Sequence, residues 1–179
     1  MVARKYLEDY RLENRTNPRS GKVQTVPVYR GKWFAFAAGE AEVRRAKRIY
    51  PALSALCAAL FLLVLLLNAP SGHAVYVMLP FAAMVFPVFY SLAGSRRLLT
   101  AGDRVTREHA DKIQRRFASC SFMMILFSAI SAAGHLLYFF RSGASALDAV
   151  SLAAATAIFL SAAVMFRHRD DLRMRQLEI

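Results

Sequence analysis

The stretch IYPALSALCAALFLLVLLLNA, residues 49–69, contains no charged side chain. At 1.5 Å of rise per residue, a helix of that length crosses the roughly 30 Å hydrocarbon core of a bilayer, so the run predicts a transmembrane helix. Three further apolar runs lie at about 74–93, 117–140 and 148–166. Together they predict an all-α integral membrane protein, a four-transmembrane-helix bundle.

The flanks of the runs orient it. Lys and Arg near the ends of membrane helices are retained on the cytoplasmic side. Residues 1–48 carry twelve Lys/Arg against five Asp/Glu, residues 95–116 seven against three, and residues 167–179 four against three. The connections at 70–73 and 141–147 hold one basic residue between them, Arg141. Both termini are therefore expected in the cytoplasm (N-in/C-in). The formal net charge of +12 divides as +7, +4 and +1 inside, with Arg141 and Asp148 cancelling outside. A bacterial inner (plasma) membrane is the default setting for compact loops with so strong a bias, and no cleavable leader is expected.

This asymmetry reinterprets the pI of 10.4. Beside membrane helices, each Lys or Arg is drawn to anionic headgroups by about 1 kcal/mol, so the expected partner is lipid and not nucleic acid. Arg30, Lys32, Trp33, Arg44, Arg45, Lys47 and Arg48 are the expected headgroup contacts.

Five segments follow. Residues 1–38 form a cytoplasmic N-terminal segment. Asn17-Pro18-Arg19-Ser20-Gly21 signals a turn and Lys22 to Tyr29 a β-prone run, which together predict a β-hairpin, a small three-stranded meander or an irregular interfacial element. Pro27 must then lie on an edge or at a bulge, and Trp33, Phe34 and Phe36 could rest in the headgroup layer. Residues 39–94 hold a juxtamembrane helix running into the first span, then the second span, which Pro80 and Pro87 should bend. Residues 95–116 read as a basic helical loop, with Asp103 or Thr106 as a cap. Residues 117–166 hold the third and fourth spans, and 167–179 a tail in which Asp171 is spaced to meet Arg167 and Arg175.

No catalytic or cofactor motif is present: there is no Walker loop, HExxH, GxSxG or glycine-rich dinucleotide turn. The two cysteines, Cys57 and Cys120, read as small buried hydrophobes, and without a CxxC pair they do not suggest redox chemistry. No span holds a carboxylate in its interior, which argues against a proton-coupled antiporter. Polar groups gather toward the outer leaflet instead, and Asn68, His73, Ser131 and His135 form a candidate polar site. Two histidines without a carboxylate or thiolate make an incomplete metal set, so neither a metal nor a cofactor is expected. Small side chains at Ser128 and Ala132 in the third span, and at Ala153, Ala157 and Ser161 in the fourth, form a candidate helix-packing face.

These features lead to the expectation of a non-enzymatic subunit or scaffold of a membrane complex, associated with a membrane-protein partner or a second copy of itself. The alternative is a small oligomeric transporter or channel with a polar site near the outer leaflet.

Overall fold

The computed structural model describes residues 4–16, 22–143 and 145–177. The chain is mostly helical, and four helices are long and apolar enough to cross a membrane. Only 22% to 39% of each apolar window is buried in the bundle. The outward faces carry side chains such as Leu66, Phe86, Phe89 and Phe140, all more than 65% exposed. Water does not tolerate apolar surface of that extent, whereas acyl chains cover it without cost.

The first helix, α1 (Glu40–Leu67), is unbroken, so the juxtamembrane segment and the first span are one rod. At its start the Glu42 carboxylate accepts the Gly39 N–H at 3.0 Å. Glu40 and Glu42 also place negative charge at the positive end of the helix dipole. The helix stops at Asn68, whose φ of 46° is left-handed, a conformation Asn tolerates better than most residues. A 3-10 turn, Pro70–His73, then reverses the chain.

The second span is split, as its prolines require. Helix α2 (Val75–Ala83) and α3 (Val85–Thr100) meet at Met84, whose N–H bonds back to Phe81 at 3.0 Å in a 3-10 step. The break falls where Pro87 cannot donate to Ala83 and its ring crowds that carbonyl. Helix α4 (Arg107–Ser142) joins the helix of the basic loop to the third apolar run without interruption, and Thr106 caps it by accepting the His109 N–H at 3.4 Å. Helix α5 (Ala146–Arg167) completes the bundle.

Packing is close where side chains are small. An added Cβ on Gly134 would lie 3.2 Å from the Tyr76 carbonyl oxygen and 3.0 Å from Val77 Cγ2, so α4 and α2 nearly touch there. Between α1 and α3, Ser54 Oγ lies 2.6 Å from Ser91 Oγ and accepts from Ser95 Oγ at 3.0 Å. Tyr50 ties α1 to α5 by donating to the Met165 carbonyl at 2.9 Å. Cys57 and Cys120 are buried free thiols.

The strands lie with the basic segments. β1 (Tyr10–Thr16) and β2 (Val23–Tyr29) form the antiparallel hairpin that the β-prone run predicts, in register from Tyr10↔Tyr29 to Thr16↔Val23. The predicted turn at 17–21 lies outside the described residues. Pro27 faces Leu12, in a two-stranded sheet where both strands are edges. No meander follows, because β3 (Trp33–Phe36) leaves the hairpin. It is the central strand of a second sheet, between β4 (Val105–Thr106) and β5 (Met174–Gln176). Phe34 and Phe36 accordingly pack against the core. The C-terminal segment is a 3-10 turn, Arg169–Leu172, followed by β5, so Asp171 meets His168 at 3.4 Å and Asp170 pairs with Arg173 at 2.9 Å.

Candidate functional site

At the charge-poor end, the turn after α1 and the start of α5 are held by one carboxylate. Ser145-Ala-Leu-Asp148 forms a capping box: Ser145 Oγ accepts the Asp148 N–H at 3.2 Å, and Asp148 Oδ2 accepts the Ser145 N–H at 3.2 Å. The same Oδ2 accepts the Ser145 hydroxyl at 2.7 Å, and Oδ1 accepts the Ser71 N–H at 2.8 Å. Asp148 is 1% exposed. Three hydrogen bonds to its oxygens and the positive end of the α5 dipole are what make a buried carboxylate affordable there. Arg141, whose charge balances it in the count, is exposed, and the partners of Asp148 are Ser71 and Ser145.

Ser71 makes a second contact: its Oγ lies 2.9 Å from His135 Nδ1. Serine, histidine and aspartate are thus adjacent, yet their geometry is not that of a nucleophilic triad. In a triad the acid holds the ring at the nitrogen opposite the serine. Here Asp148 grips the serine's backbone, and the other ring nitrogen, His135 Nε2, is buried without a partner among the described residues.

His135 borders a cavity of about 280 Å³ between α1, the 3-10 turn, α2, α4 and α5. Asn68, His73 and Ser151 supply its other polar side chains, and Val64, Leu65, Val77, Met78 and Phe81 much of its apolar wall. No Lys, Arg, Asp or Glu lines it. Ser151 Oγ, like His135 Nε2, is buried and has no partner among the described residues. Of the polar residues read from the sequence, Asn68, His73 and His135 meet at this cavity. Ser131, one turn from His135, is buried with its hydroxyl unpartnered and does not line it. Sequence reasoning missed Ser71 and Ser151, and placed Asp148 at the outer end of the fourth span without its capping role. The Ser-x-x-Asp capping signature at 145–148 was the available signal for the last. No group of three or more His, Cys, Asp or Glu side chains is placed to hold a metal ion among the described residues.

The serines Ser121, Ser128 and Ser131 share the buried face of α4 with His135. Met124, fully buried, interrupts them, and Ser128 is occupied by the carbonyls of Met124 and Ile125 on its own helix.

Of the small-residue positions, Ser128 and Ser161 are buried, Ala132 and Ala157 half-buried and Ala153 exposed. The interior stripe of α5 runs through Ser151, Ala154, Ala155, Ile158, Ser161, Ala162 and Met165, so Ala153 and Ala157 lie on its outer border.

At the basic end, Arg44, Arg45 and Arg48 are exposed and line a shallow notch on α1. Lys47 is turned inward: its Nζ donates to the Ala101 carbonyl at 2.6 Å and sits 5.8 Å from the centre of the Phe36 ring. Arg30 pairs with Glu13 at 2.8 Å, Lys32 is exposed, and Trp33 stacks edge-on against Tyr29 at 5.1 Å. Tyr29 joins the hairpin to α4, since its hydroxyl donates to the Lys32 carbonyl at 2.6 Å and accepts the Arg107 N–H at 3.1 Å. Burial raises its pKa.

Comparison with known protein families, curated proteins and solved structures gave no match to this chain.

Proposed function

We propose that this protein is a non-enzymatic, multi-pass subunit or scaffold of a membrane complex, with its basic end and both termini in the cytoplasm. The observation that carries the reading is the β1–β2 hairpin. Both of its strands are edges, and Leu12, Val23 and Val26 are exposed on it. Open edges with apolar side chains are templates for strand addition by another chain. Arg44, Arg45 and Arg48 would meanwhile bind anionic headgroups, and the outer border of α5 at Ala153 and Ala157 is open to a neighbouring helix.

The test is photocrosslinking in native membranes from probes at Leu12, Val26 and Ala157, followed by nanodisc purification. A single stoichiometric protein partner, captured from the hairpin probes and lost when the hairpin is deleted, supports the reading. Adducts to lipid alone would end it.

The alternative, a small oligomeric transporter or channel, draws support from the cavity at the far end and the jointed second span. It predicts flux in proteoliposomes that Pro80→Ala or His135→Ala reduces.

A further inference from the structure

The cavity beside His135 does not depend on the subunit reading, and its chemistry narrows what it can hold. No Lys, Arg, Asp or Glu lines it, and the nearby Asp148 is taken up by Ser71 and Ser145. A charged guest would find no counter-ion, and burying an unpaired charge is prohibitive. The volume of about 280 Å³ approaches twice that of cavities known to take benzene. Two polar atoms, His135 Nε2 and Ser151 Oγ, are buried without partners among the described residues, whereas buried polar groups are normally hydrogen-bonded.

The hydrogen bond on the far side of the ring sets the polarity of the guest. If the Ser71 hydroxyl donates to Nδ1, Nε2 carries the proton and is a donor on the ring edge away from Ser71. If Ser71 accepts, Nε2 presents a lone pair. A hydroxyl can answer either tautomer, and it can also accept from or donate to Ser151. A carbonyl can answer only one. The wall is open on the apolar flank of the bundle, where Leu65 and Met78 are about half exposed, as well as at the turn, where Asn68, Gly72 and His73 are exposed.

We propose that this cavity is a binding site for a neutral, short-chain or single-ring alcohol, its hydroxyl bonded to His135 Nε2 and Ser151 Oγ and its apolar body against Val64, Val77 and Phe81.

The experiment uses the full chain in phosphatidylcholine nanodiscs, photolabelled with a diazirine-bearing octanol and, in parallel, with a diazirine-bearing octane that lacks the hydroxyl. Adducts are mapped by mass spectrometry, and the histidines are ¹⁵N-labelled for NMR. The expected result is saturable labelling of α1 and α2 at the cavity wall, competed by plain octanol, together with a shift of the His135 Nε2 resonance. Ser151→Ala should weaken octanol binding about fivefold, the change one ordinary hydrogen bond contributes. Val64→Trp, which fills the space from a half-buried position and leaves the polar network intact, should abolish labelling at an unchanged melting temperature. Equal labelling by the octane, labelling that survives Val64→Trp in a folded protein, or an unmoved Nε2 resonance would overturn the proposal. The last outcome would leave the cavity to ordered water.

Discussion

The two ends of the bundle face the same problem, how to fasten helix ends and loops, and they answer it with different parts of the chain. At the basic end, segments near residues 35, 105 and 175 share one backbone ladder, β4-β3-β5. At the opposite end, one side chain, Asp148, gathers the α1–α2 turn and the cap of α5. A ladder spreads its hold over several modest bonds in water. A single buried carboxylate concentrates it, where each lost bond leaves an unpaired group shielded from solvent.

The contrast is broken most directly at Asp148. Asp148→Ala should cost about 3 kcal/mol, because it strands the Ser71 and Ser145 donors, and Asp148→Asn should recover part of that loss. Denaturant titration in mixed micelles would measure both. Equal losses for the two variants would mean that shape, not hydrogen bonding, holds this end.

At the basic end the expected loss is smaller. Ladder bonds from Ala37 to Arg173 and from Leu177 to Trp33 alternate so that the Arg175 N–H faces the Ala35 carbonyl. Arg175→Pro removes that donor and should cost about 1–2 kcal/mol. Hydrogen exchange should quicken at 34–36 and 105–106 and stay unchanged at 70–73 and 145–148. Faster exchange at both ends would show that the two fastenings are coupled.

The smallest effect concerns the N-terminal 3-10 turn, Arg4–Asp9. Its buried Tyr6 donates to Asp111 Oδ2 on α4 at 3.0 Å. Burial first, and then that hydrogen bond, raise the hydroxyl above its ordinary 10.0. A proton held more tightly in the folded state contributes stability that is intact below about pH 10 and disappears as pH climbs through the raised value. Limited proteolysis should therefore release this segment in alkaline solution, and Tyr6→Phe should lack the alkaline step. A variant that retains the step would assign it to another group.

Hydropathy made the helices legible, with the juxtamembrane start of α1, and Pro80 and Pro87 foretold a bend in the second span, though not its place at Met84. It could not reveal the second sheet. Strands of two to four residues carry no periodicity, and Trp33–Phe36 looked like an interfacial aromatic cluster because its partners lie some 70 and 140 residues away. Lys47 misled for a related reason: in a run of basic residues nothing marks the one whose amine is needed by a distant carbonyl. The candidate site was half legible. The histidines and Asn68 stand out in apolar sequence, but Ser71 and Ser151 resemble any serine until the fold buries them.

Met84 has one more implication. The wall of the cavity contributed by Val77, Met78 and Phe81 belongs to α2, a nine-residue segment, while the serine clasp with α1 belongs to α3. The articulation lies between them. The second span thus has two separate anchorages, α3 held to α1 through Ser91 and Ser95 and α2 held to α4 where Gly134 meets Tyr76 and Val77, with the change of partner falling at the joint.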